Sequence, residues 1–259
     1  MKLASHLLEV MIIFLTSVAF SFAWQASGSP DTVEIYGRVT DFKSSPIQGA
    51  MVMLKDDRFE DVATAISDED GRYSLAAPKG HYMALAAVKD YQIKNLEYWA
   101  WSVPATQNLE INPRFDRIEV YAINAWRPQG AYPSYQIYFR PMSLSRVVKK
   151  VVAAGGMEKF NKLPVMDIAP ELSKSDIQVS IDGQKVAVLE VNRIREAAGQ
   201  NQTMFGYLIQ VELPEKETEW EYSVINVTLK DSATDEMGEG CCFVSKTFMK
   251  SAALQKSKP

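Results

Sequence analysis

The chain has 259 residues, 47% of them hydrophobic and 23% charged, with a formal net charge of -4. That is enough apolar material for two packed cores, and a mildly acidic chain without a basic stripe excludes a nucleic-acid partner, which requires clustered Lys and Arg. Two histidines, His6 and His81, and two adjacent cysteines, Cys241 and Cys242, leave too few ligands for a His-based zinc centre and no disulfide that ties distant segments together.

In chain order, Lys2 precedes an apolar run from Val10 to Ala23. The run is shorter than the ~20 residues a bilayer-spanning helix requires, and Ser21-Phe22-Ala23 offers small residues where a signal peptidase reads. Residues 1–23 therefore read as a secretory signal peptide, with an uncleaved anchor as the alternative, and 24–32 as a flexible lead-in. No membrane span is expected after cleavage, and the expected location is secreted, periplasmic or cell-envelope.

From Val33 the sequence alternates apolar and polar residues to Asp41, as a half-buried strand does. Gly37 inside that strand predicts a bulge or a close backbone approach. Ser44-Ser45-Pro46-Ile47-Gln48-Gly49 is a turn cluster, Ala50 to Leu54 a second strand and Val62 to Ser67 a third. Asp68-Glu69-Asp70-Gly71 predicts a tight turn, because Asp bonds the backbone two residues on and Gly accepts positive φ. A calcium loop at Asp68 and Asp70 is the competing reading, but Lys79 stands where the bidentate acid belongs. Arg72 to Leu75, a turn at Pro78-Lys79-Gly80, and His81 to Val88 follow.

These spaced motifs, Gly37-x-Val39-x-Asp41, Pro46-Ile47-x-Gly49-Ala50-x-Val52, Ser67-Asp68-x-Asp70-Gly71-x-Tyr73-x-Leu75 and Pro78-x-Gly80-x-Tyr82, resemble the carboxypeptidase regulatory-like domain family. The resemblance implies a seven-stranded transthyretin-like sandwich of the carbohydrate-binding-like group over residues 33–112. It implies no reaction, since such domains are appended to proteins of many functions.

Ile93 to Val103 carries Tyr98-Trp99-Ala100-Trp101, which puts Trp99 and Trp101 on one face if extended. Exposed, paired indoles stack on sugar rings; buried, they fill a core or an inter-domain seam. Asn108 to Ile111 closes the first sandwich and the domain boundary falls between Asn112 and Asp116. Arg117 to Ala125 and Tyr135 to Arg140 are strands around a Pro- and Gly-rich loop, Trp126 to Pro133. Tyr98, Trp99, Trp101, Trp126, Tyr132 and Tyr135 form the densest aromatic concentration and are the candidate ligand-binding residues.

Ser143 or Ser145 is placed to cap a helix near 144–154, in which Leu144, Val147, Val148, Val151 and Val152 repeat at helical spacing and Gly155-Gly156 stops the chain. Arg146, Lys149, Lys150, Lys159 and Lys162 read either as its solvated face or as a grip on an acidic polysaccharide or anionic surface. After Asp176 the β pattern returns. Asp182-Gly183 is a hairpin signal, Asn192 to Gln202 a polar loop, and Met204 to Leu213, Trp220 to Leu229 and Cys242 to Phe248 are strands. Asp231, Asp235, Glu236 and Glu239 read as solvated turn acids.

The expected fold is mostly β: two β-sandwich domains, the transthyretin-like one and an immunoglobulin-like one over 116–250 carrying the helix, then a disordered tail at 251–259. Cys241 and Cys242 are expected on opposite faces of a strand, a vicinal disulfide being the disfavoured alternative. No nucleophile elbow, phosphate loop or His-Glu-x-x-His motif is present. The expectation is a non-catalytic binding or scaffolding protein without cofactor or metal, its partner a glycan or an envelope protein. The alternative is a carbohydrate-active lyase or hydrolase using carboxylates or Tyr of the second domain.

Overall fold

The computed structural model describes residues 31–130, 132–199 and 201–246; the expected signal peptide and the tail lie outside them. Seven strands come first: β1 (Thr32–Arg38), β2 (Met51–Lys55), β3 (Asp61–Ile66), β4 (Arg72–Pro78), β5 (Gly80–Val88), β6 (Tyr98–Ala105) and β7 (Leu109–Glu110). Strands β8 (Ile118–Trp126) and β9 (Ser134–Ser143) lead into helices α1 (Leu144–Ala154) and α2 (Met157–Phe160). Strands β10 (Ile177–Ile181), β11 (Gln184–Val186), β12 (Val188–Gly199), β13 (Gln202–Glu212), β14 (Tyr222–Lys230) and β15 (Met237–Ser245) complete the fold.

An eight-stranded sheet, ordered β11-β10-β14-β15-β6-β5-β2-β3, joins the two halves of the chain. The three-stranded sheet β4-β1-β7 and the four-stranded sheet β12-β13-β9-β8 are the other layers. Alternation along the central strands feeds two cores. Leu54, Leu85, Ala87, Tyr98 and Ala100 pack with Ile35 and Leu75 of the three-stranded sheet. Met53, Ala84, Ala86, Trp99 and Trp101 pack with Ile118, Ile137 and Ile209 of the four-stranded one. The two sandwiches are thus fused through one sheet, with their outer layers on opposite faces.

Local signals explain most turns. The Asp68 carboxylate accepts the amides of Asp70 at 3.0 Å and Arg72 at 2.8 Å, so it closes the turn that Gly71, at φ 75°, completes. Asp182 and Gly183, both at positive φ, join β10 to β11. At Gly37 the reason is a close approach: a Cβ there would sit 1.9 Å from the Ile111 carbonyl oxygen. Ser143 caps α1 by accepting the Arg146 amide at 3.3 Å, and Gly155 ends it in the left-handed region.

Two expectations are corrected, and α1 is less buried than its spacing suggests: of its apolar stripe only Leu144 is buried. Residues 192–202 are not a loop: β12 runs to Gly199 and pairs antiparallel with β13, its alternation having been masked by polar residues on both faces of an edge strand. The acids before Cys241 are not mainly solvated. Asp231, Glu236 and Glu239 are buried, paired with Arg146, Arg117 and Arg114 respectively. Glu236 also accepts the Ser145 hydroxyl at 2.6 Å, tying the start of α1 to the β14–β15 turn.

Candidate functional site

The central sheet contains one parallel junction, between β6 and β15, that runs only from Gly240↔Trp99 to Cys242↔Trp101. Beyond it the strands part: β15 follows β14 through Ser245↔Tyr222, and β6 follows β5 through Gly80↔Ala105. A fork opens where the two ladders diverge.

Two irregular residues shape that fork. Ser102 in β6 has φ 56° and Ala122 in β8 has φ 54°, left-handed values that are uncommon for residues with a Cβ and are concentrated at functional sites. Each shifts its strand's alternation by one. Trp99 and Trp101 face one core, whereas Val103 and Ala105 beyond Ser102 face the other. In β8 the register shifts between Tyr121 and Asn124, so that Ile118 and Val120, then Ile123 and Ala125, all reach the same core.

The fork is a cleft of about 990 Å³. Met83, Trp101, Ile123, Trp126 and Phe243 give it an apolar wall, and Asn124, Gln129, Glu217 and Lys246 a polar margin. Trp126 is 44% exposed and offers an open indole, whereas Trp101 is buried, stacked on Trp99 at 5.2 Å and edge-on to Tyr121 at 4.9 Å. The margin is braced. Arg127 pairs with Glu217 at 2.9 Å and lies 5.7 Å over the Tyr135 ring. Lys246 Nζ donates to the Thr218 carbonyl at 2.9 Å and sits 3.4 Å from the Asp182 carboxylate.

The six aromatic residues singled out in the sequence do not form one surface. Tyr98 faces the three-stranded sheet, Trp99, Trp101 and Tyr135 lie in the opposite core, and all four are buried. Tyr98, Trp99 and Trp101 are buried because β6 lies mid-sheet and is covered on both faces, and Tyr135 because it points inward from β9 of the four-stranded sheet. Trp126 and Tyr132 are exposed, and of the six only Trp101 and Trp126 line the cleft. Sequence reasoning missed Ser102 and Ala122 because neither is a glycine, the residue that advertises positive φ. It missed Met83, Glu217 and Lys246 because they reach the cleft from three separate segments.

Cys241 and Cys242 are both free thiols and both buried, so no vicinal disulfide is formed. Cys241 Sγ accepts from the Tyr98 hydroxyl at 3.3 Å, and burial pushes its thiol up to about 12. Burial raises the Cys242 thiol as well, so neither is a nucleophile at neutral pH. His81 pairs with the Tyr222 hydroxyl at 2.6 Å on the surface. Among the described residues no three His, Cys, Asp or Glu side chains are grouped as metal ligands, and no helix is long and apolar enough to cross a membrane.

The carboxypeptidase regulatory-like domain model matches residues 34–113. No curated protein matches the sequence. Among solved structures, a DUF3823 family protein from Bacteroides ovatus aligns over 83% of this chain and 98% of its own, at 11% identity and a TM-score of 0.29. BcpA, the major pilin subunit of Bacillus cereus, aligns over 83% and 68% at 12% identity and 0.26. The major pilin SpaD from Corynebacterium diphtheriae aligns over 83% and 66% at 9% and 0.23. At these scores the structural likenesses carry no functional inference. The family match and the spaced turn motifs agree, and residues 34–113 are a carboxypeptidase regulatory-like domain.

Proposed function

We propose that this is a non-catalytic binding protein of the cell envelope or exterior, whose cleft at the β6–β15 fork takes a glycan. The observation that carries the reading is the exposed Trp126 indole beside an apolar wall with an amide-rich margin. A sugar ring presents C–H groups on one face and hydroxyls at its edge. The indole stacks on the former, while Asn124 and Gln129 exchange hydrogen bonds with the latter. Hydrolysis of a glycosidic bond ordinarily employs two carboxyl groups across the scissile bond. The cleft lining supplies one, Glu217, already paired with Arg127.

Affinity electrophoresis through gels containing xylan, mannan, mixed-linkage β-glucan or pectin tests this. Retardation in at least one gel, reduced about tenfold by Trp126→Ala at unchanged melting temperature, is the expected outcome. Absence of retardation in every gel, indifference to Trp126→Ala, or release of reducing ends by the wild-type protein would overturn it.

A further inference from the structure

The helical hairpin of α1 and α2 presents a surface unrelated to the cleft. Val148 and Val152, one turn apart on α1, are 51% and 74% exposed, and Met157 at the start of α2 is 47% exposed. A stripe of this pattern ordinarily buries itself on the protein body. Here the partly buried Val147 and Val151 lie on the inner side, and the outer part of the stripe is left to solvent. The same segment, 144–162, holds five basic residues and one acidic one in a chain whose net charge is -4.

Those charges are only partly spent inside the molecule. Arg146 reaches Asp231 and Lys162 pairs with Glu158. Lys149, Lys150 and Lys159 are exposed and make no ion pair among the described residues. Lys149 follows Val148 by a single helical step, and its flexible stem can lie along the apolar stripe while its ammonium stays in water. Exposed apolar side chains ringed by unpaired lysines on a helix complement an anionic lipid surface, where headgroups neutralise the lysines and the valines and methionine enter the headgroup–acyl boundary. A polyanionic glycan would match the lysines alone and leave the apolar residues in water.

We propose that the outer face of the α1–α2 hairpin docks on anionic lipid bilayers. The two native thiols are buried, so a single introduced cysteine at Val152→Cys can carry an environment-sensitive fluorophore. Vesicles of phosphatidylcholine alone and of phosphatidylcholine with about 30% phosphatidylglycerol are the probes, the anionic lipid supplying the negative surface potential that attracts lysines. A control label is placed at Ile93→Cys, in a loop at 77% exposure.

The expected result is a blue shift of the Val152 label on anionic vesicles only, weakened by salt, with no shift at Ile93. Combined Lys149→Gln, Lys150→Gln and Lys159→Gln substitution abolishes it at unchanged melting temperature. No shift on anionic vesicles, an equal shift on neutral ones, an equal shift at Ile93, or a shift that survives the triple substitution would overturn the proposal. So would a shift produced by soluble polygalacturonate and by no vesicle, which would assign the lysines to a glycan instead.

Discussion

Trp99 Nε1 donates to Glu119 Oε1 at 3.1 Å, while the other oxygen of that carboxylate is buried without a partner. Burial, reinforced by the neighbouring Glu97, pushes the Glu119 carboxyl up to about 8, and burial raises Glu97 too. Folding therefore favours the protonated acid, which is how an interior accommodates a carboxyl that no cation neutralises.

The sign of the pH effect follows. Because the folded chain holds the Glu119 proton more tightly than the unfolded chain, the contribution is greatest below the ordinary value of 4.5 and is lost as pH rises to about 8. Melting temperatures at pH 5 and pH 8.5 should show Glu119→Gln gaining on wild type at the higher pH. A wild-type decline unaltered by the substitution would show that other groups cause it.

The two indoles of the cleft should separate cleanly in stability. Trp101 is 8% exposed inside an aromatic stack, and Trp101→Ala should cost about 3–5 kcal/mol in urea unfolding. Trp126, at 44% exposure, should cost about 0.5 kcal/mol when changed to Ala. Similar losses for both would mean that Trp126 is also a packing residue and not an open platform.

Lys246 and Asp182 form a buried pair, their side chains 7% and 3% exposed, that fastens the end of β15 to the β10–β11 turn. Lys246→Met alone strands a buried carboxylate and should destabilise by about 3–5 kcal/mol. Adding Asp182→Asn should recover part of that loss, since the amide oxygen can still accept the Val224 amide now donating to Asp182 at 2.7 Å. Additive losses in a double-mutant cycle would show that the two groups do not interact.

Cys241 and Cys242 should resist an aromatic disulfide reagent at neutral pH until the protein unfolds, because both thiols are buried and held protonated. Labelling of two equivalents in urea and none in buffer is the expected titration. Rapid labelling of either thiol in buffer would mean that the β15 layer opens locally.

Much of this protein was legible in the order of its residues. Alternation and turn chemistry are local, so Asp68 to Gly71, Asp182-Gly183, the Ser143 cap and the Gly155 stop each acted through neighbours only a few positions away. The pairing of Trp99 with Trp101 on one face, and the opposed directions of Cys241 and Cys242, followed from the twofold repeat of a strand. The family of residues 34–113 was carried by the same spaced turns.

Which of those faces became surface was decided elsewhere. Trp101 and Trp126 are chemically alike, yet one is sealed because its strand lies mid-sheet between two layers, and the other is open because its strand ends at an edge. The cleft arises from the parting of β6 and β15, strands more than 130 positions apart, and from left-handed turns at Ser102 and Ala122 that no glycine announced. A sequence encodes the local bias of each strand; which strands lie side by side, and where two ladders diverge, is set by packing between distant segments, and only the tertiary structure holds it.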